Sequence, residues 1–112
     1  MYTSYFAISN THPNAVSIAG RAPEWYHGRE YKKLAPTLSI FKKYKADGDT
    51  LYYTEHYYKE VLQKLDPKKV FEELGPHAVL LCYETPGKFC HRHLVAKWLS
   101  DELGVEVLEL KK

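Results

Sequence analysis

Residues 80–93 read Leu-Leu-Cys-Tyr-Glu-Thr-Pro-Gly-Lys-Phe-Cys-His-Arg-His. An apolar run ends in Cys82-Tyr83-Glu84, a Pro-Gly turn follows, and Cys90-His91-Arg92-His93 opens a segment with helical spacing. A helix start leaves backbone N–H groups unpaired at the positive end of its dipole, so it suits an anion. Arg92 adds a planar five-donor fork for a phosphate or carboxylate. The same dipole and the neighbouring cations lower a thiol pKa, which makes Cys90 a candidate nucleophile. Glu84, on the opposite lip of the turn, and His91 are candidate acid–base groups. The expected catalytic set is Glu84, Cys90 and His91, acting as a hydrolase or transferase on a phosphate-bearing or nucleotide-like ligand.

Each of these residues also has a structural reading. Cys82 stands among apolar neighbours and reads as a small buried hydrophobe. Cys90 fits a buried position at a tight strand-to-helix junction, and Arg92 fits a bridge to Glu84 or another carboxylate. His93 reads as a surface residue. Cys82, Cys90, His91 and His93 are soft metal ligands, but their spacing matches no common zinc pattern, and alternate histidines on a helix diverge. No metal and no cofactor are expected. A phosphatase-like loop is also disfavoured, because one residue between Cys90 and Arg92 is too short to wrap a phosphate.

The turn is useful only if flanking elements hold it. Residues 77–83 form the clearest buried strand. Residues 91–103 follow as a helix with Leu94, Val95, Trp98 and Leu99 inward, and Gly104 ends it. Residues 105–110 alternate as a last strand. Upstream, 2–8 and 15–19 read as strands and 21–36 as a long irregular loop with a helical turn near 30–35. Helices are expected over 37–46, with Leu38, Phe41 and Tyr44 inward, and from Asp49 or Thr50, with Leu51, Tyr58, Val61, Leu62 and Leu65 inward. Asp66-Pro67 starts another helix and Gly75-Pro76 stops it.

A strand–helix–strand order implies parallel pairing with a right-handed crossover. The expected fold is a small three-layer α/β sandwich with a mostly parallel, Rossmann-like sheet of about four strands, as a single domain over 1–112. Ligands in such sheets sit beyond the C-terminal strand ends, where the 80–93 turn lies. Ser9, Asn10, His12, Gly20 and Arg21 would share that edge if the early strands are parallel. Arg21 is a second anion-binding candidate. Trp25 and Tyr26, with His27 and Tyr31, could cover the opening as a stacking surface for a nucleobase, or Trp25 could plug the core. Tyr52, Tyr53 and Tyr57 read as core.

The bulk numbers narrow the classes. In 112 residues, 45% are hydrophobic and 27% charged, as in a globular chain. A net charge of +2 gives no overall drive toward nucleic acid. Lys32, Lys33, Lys42, Lys43 and Lys45 are a local basic density beside Tyr31 and Tyr44, which reads as a solvated face. Nucleic-acid binding through it is a minor alternative. No apolar stretch reaches the roughly 20 residues of a membrane span. Two cysteines make no secreted framework, so free thiols and a cytoplasmic setting are expected.

Leu80-Leu81-Cys82-Tyr83-Glu84, the short turn and Cys90-His91-Arg92 before an apolar helix resemble the signature of domain-of-unknown-function family 488. The specific part of the match is residues 78–99, and length and element order fit throughout. The family's usual second strand ends in Asp-x-Arg. Here Ser17-Ile18-Ala19-Gly20-Arg21 keeps the arginine and lacks the aspartate, as in a divergent branch. The resemblance implies a compact α/β domain with a polar pocket and supplies no established reaction. The alternative to a ligand-binding enzyme is a non-catalytic interaction module whose Cys/His/Arg/Glu cluster holds the turn.

Overall fold

The computed structural model of the chain describes residues 1–110. Five strands form one parallel sheet: β1 (Tyr2–Tyr5), β2 (Ala15–Ser17), β3 (Arg29–Glu30), β4 (Val79–Cys82) and β5 (Leu108–Glu109), in the spatial order β3-β2-β4-β1-β5. The α/β class and parallel pairing are as expected, with five strands rather than about four. The central strand is β4, whose four residues are all buried. A strand flanked on both sides and covered on both faces has no polar edge to present, which is why Val79–Cys82 reads as unbroken apolar sequence.

Successive strand residues face opposite sides. Val16, Ile18 and Leu80 face the main core, built with Val95, Trp98 and Leu99 and with Tyr53, Tyr57, Leu62, Val70 and Leu74 from the helices before β4. Ala15, Val79 and Leu81 face a smaller core with Phe6, Ala19 and Tyr26. The helices of the main face are α2 (Leu38–Asp47), α3 (Thr50–Glu60), α4 (Pro67–Leu74) and α5 (His91–Leu103). Thr37, Asp49 and Asp66 cap the first three by accepting the N–H of Ile40, Tyr52 and Lys68. Gly104 ends α5 at φ 68°, where a side chain would clash with backbone, and donates its N–H to the Ser100 carbonyl.

Three local expectations are corrected. The strand expected over 2–8 stops at Tyr5, and Phe6–Ser9 form a single helical turn, α1, that packs Phe6 into the smaller core. The loop 21–36 also contributes a strand, β3, while its 3₁₀ turn at Lys32–Leu34 falls where a helical turn is expected. The inward stripes of α2 and α3 also differ. Leu38, Phe41 and Leu51 are 67%, 47% and 77% exposed, while Ile40 goes inward together with Tyr53, Tyr57 and Val61, the three expected there. The cause is tyrosine's two-sided character. The Tyr57 hydroxyl donates to the Leu34 carbonyl, so the ring is buried without an unpaired polar atom. Tyr53, Tyr57 and Val61 are spaced by four and form the true apolar stripe.

Candidate functional site

The β4–α5 connection stands at the C-terminal edge of the sheet, as the strand–helix reading required. Residues 83–88 are exposed, and Cys90 takes the N-cap position of α5 in extended backbone, with no side-chain hydrogen bond to the helix. Three of the four long helices carry a capping oxygen, and this one begins with a cysteine. Val95, Trp98 and Leu99 fasten α5 to the sheet, so the positions of Cys90, His91 and Arg92 are set by the core.

Arg92 does not reach solvent. It is fully buried, and its Nε and Nη2 donate to Oε1 and Oε2 of Glu109 at 3.1 and 2.9 Å. This is a two-pronged guanidinium–carboxylate pair, the strong form of the interaction. The Thr3 hydroxyl donates to the same Glu109 Oε1 at 2.6 Å, and Arg92 Nη1 donates to Cys82 Sγ at 3.2 Å. The Tyr5 ring lies 6.0 Å from the guanidinium carbon. Burial disfavours the ionised Glu109 carboxylate, yet the Arg92 and Thr3 hydrogen bonds prevail and hold its pKa below the ordinary value. The bridge expected for Arg92 therefore exists, but its partner is Glu109 and not Glu84. The position proposed for an external anion on Arg92 is filled by a carboxylate of the chain itself.

Glu109 was not among the residues singled out, though the sequence carries a signal for it. Val105, Val107 and Glu109 share one parity of the terminal alternation, and both valines pack on the main core. A carboxylate in the apolar register needs a buried cation opposite, and Arg92 is that cation.

His91 is 6% exposed. Its Nε2 lies 2.7 Å from the Ile18 carbonyl oxygen, which can only accept, so Nε2 carries the proton and Nδ1 has a bare lone pair. Burial pushes its pKa down to about 4, so the ring is neutral near pH 7. Nδ1 faces Cys90 Sγ at 3.9 Å. Cys82 and Cys90, 1% and 7% exposed, have their sulfurs bonded to each other, in place of the free thiols expected from composition. Cys82, Cys90 and His91 thus form one buried cluster whose three ligand atoms lie within 4.8 Å of one another. Spacing alone disfavoured such a set. The strand end and the helix start bring together residues that sequence separation keeps eight apart. His93 is half-buried and outside the cluster.

The other candidates divide. Arg21 is exposed and its carbonyl accepts the Tyr83 hydroxyl. Trp25 is 54% exposed and Tyr83 52%; their rings flank Phe6 at 6.4 and 5.0 Å. Trp25 therefore lies on the surface rather than plugging the core. Tyr26 is turned the other way: it is 8% exposed, and its hydroxyl donates to the Arg29 carbonyl at 2.7 Å, which removes it from a ligand surface. Gly28 makes room for that ring, since a Cβ there would meet the Tyr26 Cζ at 2.6 Å. Ser9 is buried against Ser4 at 2.7 Å. His12 lies at the opposite edge, lining a groove of about 320 Å³ with Arg29, His77 and Ala78, because the α1 turn carries the chain back before β2 begins. Lys33 and Lys43 pair with Glu73 and Asp47, which divides the basic density.

Glu84 is exposed, and among the described residues it has no hydrogen-bond or ion-pair partner. Glu84→Gln should therefore leave the melting temperature within the range of an ordinary surface change, about 0.5 kcal/mol or less. A larger loss in thermal denaturation would show that the carboxylate holds the turn.

Comparison with known proteins bears on the whole arrangement. The family model described as DUF488-N3a, active DUF488-N3 subclade, matches residues 6–103. That span runs from Phe6 of α1 to the end of α5 and contains every candidate residue except Glu109 and Thr3. No curated protein and no solved structure matches the chain.

Proposed function

The chain belongs to the DUF488 family, and on that premise we propose that it binds a phosphate-bearing, nucleotide-like ligand at the C-terminal sheet edge, as a hydrolase or transferase. The observation that carries this reading is the grouping of Trp25 and Tyr83 around Phe6 beside the 83–90 turn, with the exposed Arg21 tied to it through its backbone carbonyl on the Tyr83 hydroxyl. Two open aromatic faces next to an arginine suit a flat base joined to an anion. Unpaired N–H groups at the start of α5 add to the anion's field. Glu84 is the exposed acid–base candidate, and Cys90 and His91 are the buried candidates, available to react once the Cys82–Cys90 bond is reduced.

Arg21, not Arg92, is the residue on which to test binding, because Arg21 is exposed and its removal leaves the core intact. Thermal-shift titration with nucleoside mono-, di- and triphosphates should raise the wild-type melting temperature. Arg21→Ala should remove most of that rise. A wild type that no nucleotide stabilises, or an equal rise in the variant, would defeat the proposal.

One observation favours the second reading, a module without catalysis. The Arg92–Glu109–Thr3 network is buried and fully paired, as a structural brace would be. Brace and site are compatible here, since the network occupies the sheet face under α5 while Arg21, Trp25 and Tyr83 remain open to solvent.

A further inference from the structure

We infer that, with its two thiols reduced, this chain holds a zinc ion on Cys82 Sγ, Cys90 Sγ and His91 Nδ1, a site that neither the family description nor the nucleotide reading assigns. The assignment stands whether or not the sheet edge takes a nucleotide.

The donor set is the first ground. Zinc is bound by thiolate sulfur and imidazole nitrogen, and two cysteines with one histidine plus an open fourth position is a known catalytic arrangement. The three atoms already lie within 4.8 Å of one another. Two thiolates on one tetrahedral zinc, with Zn–S near 2.3 Å, stand about 3.8 Å apart. The Cα atoms of Cys82 and Cys90 are 7.2 Å apart, wider than the roughly 4.4–6.8 Å that disulfides ordinarily span. That separation leaves room for the sulfurs to open around an ion.

The surroundings supply the independent ground. A metal-bound histidine ordinarily donates its other ring N–H to a carbonyl or carboxylate, which fixes tautomer and orientation. His91 does this to the Ile18 carbonyl at 2.7 Å and directs its lone pair toward Cys90. Cys82 Sγ receives Arg92 Nη1 at 3.2 Å, a hydrogen bond that suits a thiolate. Glu109 balances the Arg92 charge, so the guanidinium does not present an uncompensated cation to the metal. Two thiolates and one dication sum to zero in a site whose three residues are all under 10% exposed. An aromatic wall completes it, with the Tyr57 ring edge-on to His91 at 5.6 Å.

The test uses the full chain, purified under strong reductant, with thiols counted and zinc measured by plasma mass spectrometry. One zinc per chain is expected, removable by chelator with a fall in melting temperature. Cobalt(II) added to the metal-free reduced protein should give thiolate-to-metal charge-transfer bands and the intense d–d bands of a tetrahedral site. Cys82→Ser, Cys90→Ser and His91→Gln should each lose those bands, and His93→Ala should keep them. Because buried variants can misfold, the wild type also decides alone. Diamide oxidation, which joins the two sulfurs and is itself reduced, should expel the metal, and reductant should restore it. Free thiols with no bound zinc and no cobalt spectrum would overturn the assignment, as would a cobalt spectrum unchanged after oxidation.

Discussion

Arg92→Ala should destabilise the fold by about 3 kcal/mol or more, the largest loss from any single polar substitution in this chain. Breaking a buried ion pair typically costs about 3–5 kcal/mol, because the surviving charge stays without its partner. The Glu109 side chain keeps 16% exposure and can recover some water, which argues for the lower end. Thr3 and Cys82 also lose a shared arrangement, since both hydrogen-bond within the same group. For a chain this size, about 1 kcal/mol moves the melting temperature by roughly 4 °C, so a fall of about 12 °C is expected. Glu109→Gln should lose less, because an amide still accepts one guanidinium hydrogen bond. Urea denaturation at neutral pH measures both. An Arg92→Ala loss under about 1 kcal/mol would mean that the pair is not buried in solution.

The pair also has a pH signature. Glu109 has a folded pKa below its unfolded one. Its contribution is therefore complete above the unfolded carboxylate pKa, near 4.3, and is lost as pH falls through the lower folded value. The wild type should lose stability through that acidic window, and Glu109→Gln should show a flatter acid limb. Near neutral pH the difference between the two should be constant.

The same pair shows where reading the sequence succeeds and where it stops. The 80–93 turn, the helix at 91–103, its glycine stop and the parallel sheet were legible because each follows from local chemistry: an apolar run, a helical period, a residue that tolerates left-handed backbone. Arg92 was legible as a functional type, but not as a buried one. Its environment is set by β5, seventeen residues onward, and only the sheet order puts Glu109 beneath it. The Cys82, Cys90 and His91 grouping was legible as a set of soft ligands, but its spacing disfavoured a site for a related reason. Patterns such as C-x₂₋₄-C describe ligands carried by one loop, whereas Cys82 and Cys90 belong to a strand end and a helix start. The placement of Leu51 failed differently. Tyr53 and Tyr57 go inward and Leu51 outward because hydrogen-bonded burial of a ring outweighs a plain ranking of hydrophobicity. The α1 turn then moved His12 to the far edge, a consequence of three residues of strand reading too many.

Trp25→Ala should weaken nucleotide binding by about 5-fold to 150-fold while costing far less stability than loss of a buried ring. The magnitude follows from base–aromatic stacking, worth about 1–3 kcal/mol per base, with each 1.4 kcal/mol a factor of about 10. The separation of effects follows from position. Trp25 is 54% exposed and meets Phe6 of the smaller core through an edge contact, so its loss uncovers much less apolar surface than the loss of a fully buried ring. Tyr83 is a less clean probe, because its hydroxyl also holds the Arg21 carbonyl and its loss would move the anion-binding residue. Trp25→Phe provides the control: it keeps a flat face and should retain most of the affinity. Fluorescence adds a direct readout, since a base stacked on Trp25 should quench an emission that the buried Trp98 does not share. Equal affinity in wild type and Trp25→Ala would remove the stacking surface from the site and leave Arg21 and the α5 start as an anion site without base recognition. A loss in Trp25→Ala that Trp25→Phe restores would tie affinity to the ring face, which an anion site alone cannot do.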